Sequence, residues 1–169
     1  MKKYFQFNGT INGTTYFLRW LFSIVLSIPT LIIVFAFFGM FAIEYAEIDM
    51  QNPESFDQQA FEQKIQDNPE EFMETLKSSF TPFWIISILI SLIPVMWFGL
   101  ATYYKRVSAL FYENRLNVFF GLLIFEITAD IIVFKFDNWL NTVFLIGSIL
   151  VFLFMLIKDS GIQQEDHEG

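Results

Sequence analysis

Four stretches of this chain carry almost no charge, and each is long enough to cross a lipid bilayer. Residues 20–43 are 24 positions without Lys, Arg, Asp or Glu, residues 78–104 are 27, and residues 138–157 are 20. A hydrocarbon core about 30 Å thick needs about 20 helical residues at about 1.5 Å each. Residues 116–134 are 19 of the same character but include Glu126 and Asp130, whose insertion penalty of about 2.5–3.5 kcal/mol each the surrounding Phe, Leu and Ile must offset. The rest of the sequence agrees with a membrane protein: 54% hydrophobic, only 17% charged, and 23 phenylalanines in 169 residues. A soluble domain of this size has too little interior to hide that much apolar surface.

These runs are too long for barrel strands, so the predicted fold is an all-α integral membrane protein with four transmembrane helices, at about 17–43, 80–104, 116–134 and 138–157. A cleavable secretory signal does not suit the first run. A signal's apolar region is about 7–15 residues and opens soon after its basic start, whereas here the run is 24 long and follows some sixteen mostly polar residues. Lys and Arg are unevenly divided between alternate loops. Seven (Lys2, Lys3, Arg19, Lys105, Arg106, Arg115, Lys158) fall with the N-terminus, the 105–115 loop and the 158–169 tail, against Lys64, Lys77 and Lys135 on the other side. The positive-inside bias therefore places both termini in the cytoplasm.

The loop at 44–79 is then extracytoplasmic, and residues 44–77 carry ten acids and two bases, a charge of −8. Such a field repels nucleic acid and anionic lipid. Asn52-Pro53-Glu54 and Asn68-Pro69-Glu70 both read as helix starts, with Asn as cap, Pro in the first turn and Glu at the positive end of the dipole. Two short amphipathic helices follow, about 53–66 and 69–79. Their stripes of Phe56, Ala60, Phe61 and Ile65, and of Phe72, Met73 and Leu76, either pack on each other and on the membrane helices or dock a protein partner. Asn8-Gly9-Thr10 and Asn12-Gly13-Thr14 match the glycosylation sequon, but on the cytoplasmic side they read as turns, followed by a Thr14 or Thr15 helix cap.

Nothing here composes a catalytic constellation, so no enzyme and no cofactor is expected. The chain has no cysteine and one histidine, His167, placed in an acidic tail read as a solvated end. The informative residues are polar groups within spans. At about 1.5 Å per residue, Glu126 lies about 15 Å from the inner end of its helix, and the same depth reaches Thr30 beside Pro29, Ser91 near Pro94, and Gly147 with Ser148. One reading is structural: a protonated Glu126 hydrogen-bonds a facing hydroxyl and fixes helix register. The other is a proton or cation site, with Asp130 at i+4 completing a short relay. Four helices enclose a poor conduit, so that site would require a homo-oligomer. Lys105, Arg106 and Arg115, with Tyr103, Tyr104 and Tyr112, are expected to form a basic-aromatic band contacting anionic phospholipid headgroups.

Lys3-Tyr4-Phe5-Gln6-Phe7-Asn8-Gly9, leading through Tyr16-Phe17 into the first span, resembles the opening of small bacterial inner-membrane proteins, the domain of unknown function 805 family (YhaH/YhaI-like). Tyr104-Lys105-Arg106-Val107-Ser108-Ala109-Leu110 is similar to that family's basic segment, with Lys105 and Arg106 at its paired basic positions. The chain differs in having Thr10 and Gly13 where the family has arginines, Ser108 and Ala109 where it has His-Asp, and a long acidic outer loop. The resemblance implies a protein of the bacterial cytoplasmic membrane and supplies no catalytic residue.

Overall fold

The computed structural model describes residues 2–48 and 56–167. Among them are seven α-helices and two short 3-10 turns, Lys2–Phe5 and Gln164–Asp166, and no strand. Four segments are long and apolar enough to cross a membrane: Gly13–Tyr45, Pro82–Leu110, Arg115–Lys135 and Trp139–Ile157. The protein is an all-α, multi-pass membrane protein.

The first of these segments is two helices, α1 (Gly13–Leu26) and α2 (Ile28–Tyr45), where the sequence reads as one. Pro29 is the cause. It has no N–H to give the Val25 carbonyl and its ring crowds that carbonyl, so α1 stops and α2 restarts with the proline in its first turn. The next spanning helix also departs from expectation. It runs Pro82–Leu110 without a break, although it contains Pro94, and so takes up most of the predicted 105–115 loop.

By internal contacts the chain divides into two compact units, one made of Met1–Val25 with Val95–Gly169 and the other of Leu26–Pro94. In the second unit α3 (Gln58–Asp67) and α4 (Pro69–Ser79) follow α2. The predicted start at Asn52-Pro53-Glu54 lies outside the described residues. The helix seen here begins instead at Asp57, whose carboxylate accepts from the backbone N–H groups of Gln59 at 2.9 Å and Ala60 at 3.1 Å. The apolar stripes turn onto α2. The Phe72 ring meets Phe41 at 5.4 Å and Tyr45 at 5.3 Å, and Phe61 meets Tyr45 at 6.2 Å.

The end of α2 is a Schellman motif, in which Ile48 N donates to Ile43 O at 3.0 Å and Glu47 N to Glu44 O at 3.3 Å. This places Glu47 at φ 52, a left-handed position that favours glycine. Lys64 closes the turn by donating to Tyr45 O at 2.9 Å. Glu47→Gly removes the strain at Cβ and only a loose 4.0 Å contact with Lys64. It is expected to stabilise the protein by about 0.5–1 kcal/mol, read as a rise in thermal midpoint in detergent; a fall would show that the carboxylate outweighs the backbone.

In the first unit α6 (Arg115–Lys135) and α7 (Trp139–Ile157) form a tight hairpin. Asn138 caps α7 by accepting from Leu140 N at 2.9 Å, and Asn141 Nδ2 donates to Val133 O and Phe136 O at the end of α6. A Cβ on Gly147 would lie 2.9 Å from Phe125 Cζ, so the missing side chain lets that ring sit against α7. The apolar core of this unit is Ile11, Tyr16, Val107, Phe119 and Met155. It lies toward the end where α1 begins and α7 finishes.

Candidate functional site

Three segments converge on Arg106 at that end of the first unit. An α-helix leaves its last carbonyls without partners, and α7 ends with Met155 O and Lys158 O facing α5 (Pro82–Leu110). The Arg106 Nε donates to Met155 O at 2.5 Å, Nη2 to Lys158 O at 2.5 Å, and Nη1 to Ile11 O at 3.1 Å. One guanidinium, 1% exposed, thus caps α7, complements the negative end of its dipole and ties in the segment preceding α1.

The start of α1 is built to fit. Asn12 Oδ1 accepts from Thr15 N at 2.7 Å and its carbonyl accepts from Tyr16 N at 3.0 Å. The cap is therefore Asn12, and the helix begins before the expected Thr14 or Thr15. The doubled Asn-Gly is used as a helix start. A Cβ on Gly13 would lie 1.9 Å from the Leu156 carbonyl oxygen, so only glycine lets the positive end of α1 approach the negative end of α7 this closely.

The tail joins the same junction. His167 Nδ1 is 3.0 Å from Thr10 Oγ1 and its Nε2 is 3.1 Å from Ser160 Oγ. The lone histidine is half-buried, and the expectation of a solvated end is corrected on that point. A cleft of about 370 Å³ at this junction is lined by Asn12, Thr14, Arg106, Lys158, Ser160 and His167 among others.

Residues preceding α1 also lie along α5. Trp97 Nε1 donates to Phe5 O at 2.8 Å. Phe5 meets Phe98 at 5.8 Å, and Phe7 meets Trp97 at 5.2 Å and Tyr104 at 5.7 Å. The Arg19 guanidinium, 4% exposed with its residue, lies 4.9 Å from the centre of the Tyr4 ring.

The predicted basic band is therefore not a single exposed surface. Lys105 and Arg106 are 0% and 1% exposed, because α5 continues past them and turns them inward. Of the three, Arg115 is the one near the surface. It donates to Tyr112 O at 3.0 Å and Tyr104 Oη at 3.3 Å, and lies 4.6 Å from the centre of the Tyr112 ring.

The polar residues within spans are divided between the units. Glu126 and Ser148 come together, with the serine hydroxyl in hydrogen-bonding reach of the half-buried carboxyl group. Asp130, one turn along, is exposed while Ala129 beside it is buried. The two carboxyl groups lie near enough to interact, with Asp130 the more exposed of the pair. In the second unit Thr30 is 8% exposed with no hydrogen-bond partner for its hydroxyl, and Ser91 Oγ donates to Ile88 O of its own helix at 2.8 Å.

Sequence reasoning missed the Arg106 junction because a charge was taken as a helix boundary. A signal was available: Val107, Ala109, Leu110 and Phe111 prolong the apolar run beyond the basic pair. The class set by fold and site is a multi-pass α-helical membrane protein with a buried arginine clasp. No family model, curated protein or solved structure matches the chain.

Proposed function

We propose that this is a non-enzymatic protein of the bacterial cytoplasmic membrane, with both termini cytoplasmic, that works by contact with another protein through the acidic face of α3 and α4. The observation that carries this reading is the division of labour in that hairpin. Its aromatic residues Phe61 and Phe72 pack on α2, while Glu62, Asp67, Glu70, Glu71 and Glu74 are all exposed. The aromatic stripe is occupied within the chain, and what remains outward is a patch of carboxylates suited to a basic partner. The resemblance to the domain of unknown function 805 family supports the membrane assigned here, and Arg115 with Tyr104 and Tyr112 supports a subsidiary contact with anionic headgroups of the cytoplasmic leaflet.

The chain has no native cysteine, so Gln63→Cys, on the exposed side of α3, tests orientation and partner together. In intact cells a membrane-impermeant maleimide is expected to label it, and an impermeant cysteine-to-amine crosslinker to yield one discrete adduct that is lost when Glu62, Glu70 and Glu74 are changed to Lys. Labelling only after the membrane is broken would reverse the orientation, and an adduct indifferent to the charge reversal would remove the acidic face from the proposal.

The contact between Glu126 and Ser148 is the one the structural account of this carboxyl group requires, and a proton or cation site is the second reading to set against it. On the structural account Glu126→Gln folds and assembles almost normally, because Gln keeps a donor and nearly the same shape, while Glu126→Leu loses about 0.6–2 kcal/mol of helix association. A transport site would show a different pattern: in reconstituted vesicles the parent protein dissipates a pH gradient and Glu126→Gln does not, with thermal stability unchanged.

A further inference from the structure

The segment preceding α1 sets a constraint on where the lipid begins. Residues 4–9 are exposed, and apart from the 3-10 turn Lys2–Phe5 their backbone is irregular. Irregular backbone facing acyl chains leaves N–H and C=O groups with no water to bond them, so it does not occur at lipid-exposed positions within hydrocarbon. Yet this segment follows α5 inward. Its last anchor is Arg106 on Ile11 O and its first is Trp97 on Phe5 O, and Trp97 lies nine residues along α5 from Arg106, a rise of about 13 Å. Meanwhile α7 stays apolar to Ile157, level with Gly13 and Arg106, where a plain reading of hydropathy would place the edge of the hydrocarbon.

Side chains at the deeper level have interfacial character. Trp20 and Trp97 are 43% and 51% exposed, and tryptophan concentrates at headgroup level. Trp20 meets Phe152 at 5.3 Å, and Phe22 meets Phe98 at 5.6 Å. These contacts put Trp20, Trp97 and Phe152 within about a turn of one another along the unit. Arg19, next to Trp20, is the charge that begins the uncharged first run.

We infer that residues 4–9, with Trp20 and Trp97, form an interfacial belt that draws phospholipid headgroups inward toward the level of Phe5 and Trp97, so that this leaflet is locally thinned beside the first unit. The belt gives the exposed carbonyls of residues 4–9 water and headgroup partners. It also brings the buried Lys105 and Arg106 outside the hydrocarbon, where buried cations are less costly. Lys2 and Lys3 give the segment the charge to favour an anionic leaflet. The inference does not depend on orientation or on any partner of α3 and α4.

The test uses the full chain in vesicles of phosphatidylcholine and phosphatidylglycerol. A nitroxide on Gln6→Cys is expected to collide at least threefold more often with a water-soluble nickel chelate, relative to oxygen, than the same label on Leu89→Cys, an exposed position eight residues along α5 from Trp97. Separately, the variant W20F/W84F/W139F leaves Trp97 as the sole tryptophan, excited selectively at the red edge of its absorption. Its emission is expected to be quenched more by lipids brominated at acyl carbons 6 and 7 than by those brominated at carbons 11 and 12. An oxygen-dominated environment at Gln6 equal to that at Leu89, or strongest quenching of Trp97 by the deep bromines, overturns the belt. Each measurement stands without the other.

Discussion

Arg106→Leu is expected to be the most damaging single substitution at the clasp, lowering stability by about 3 kcal/mol or more. Leucine fills much of the space but donates nothing, so Met155 O, Lys158 O and Ile11 O lose their guanidinium donors at once. Each buried acceptor left unsatisfied costs about 1–3 kcal/mol, and the three share one group, so their losses do not simply add. Arg106→Lys separates charge from geometry. An ammonium keeps the favourable end-of-helix charge but is a point donor, and it does not span three carbonyls as a planar fork does. It should fall between parent and leucine variant. Thermal unfolding of all three in the same detergent gives the order directly, and a leucine variant as stable as the parent would mean that the clasp is incidental to the fold.

Gly13→Ala should be next in severity. Two effects oppose each other there. Alanine is the better helix former by about 1 kcal/mol, but its Cβ would stand 1.9 Å from Leu156 O, and neither a Cβ fixed to its Cα nor a backbone carbonyl can swing aside. The helices must separate by more than an ångström, which disturbs the neighbouring Arg106 contacts too. Overpacking of this kind typically costs about 1–3 kcal/mol, so the net change is expected to be a loss despite the gain in propensity. The check is specific to the site: Gly39→Ala, where a new Cβ meets nothing within 4 Å, should leave the thermal midpoint level or slightly raised. Equal behaviour of the two variants would contradict the close approach of α1 and α7.

Much of this architecture is readable from charge alone, because a missing charge over 20 residues is a cooperative signal that many positions share. The four spanning segments follow from it, and the three residues Lys135, Phe136 and Asp137 between the last two runs leave room only for a tight hairpin. Single charges are ambiguous by comparison. Lys105 and Arg106 look like the edge of a membrane helix, but the cost of an arginine depends on what it donates to, and its acceptors lie 49 and 52 residues further on. Pro29 and Pro94 look alike in sequence, yet one ends a helix and the other is carried within one. Glu126 and Asp130 stand one turn apart on the same side of a helix, as their i+4 spacing requires, but how far each is covered is set by α7, which the spacing does not show. The aromatic residues at 5 and 7 stand out in the sequence, whereas their partner, Trp97, could not be found without the fold.

The clasp has a consequence for how the chain is made. Arg106 leaves the ribosome well before its acceptors on α7 exist, 52 residues ahead of Lys158; at about 5–20 residues per second that is a delay of about 3–10 s. During that interval α1 and α5 enter the membrane while the guanidinium has Ile11 O as its sole acceptor of the three. Capping of α7 therefore comes after α5 has already engaged the leading segment through Trp97 and Arg106. Until then the leading segment is held by α5 alone, through Trp97 on Phe5 O and Arg106 on Ile11 O, and a nascent chain halted before Met155 presents quality-control proteases with a junction that the finished protein closes.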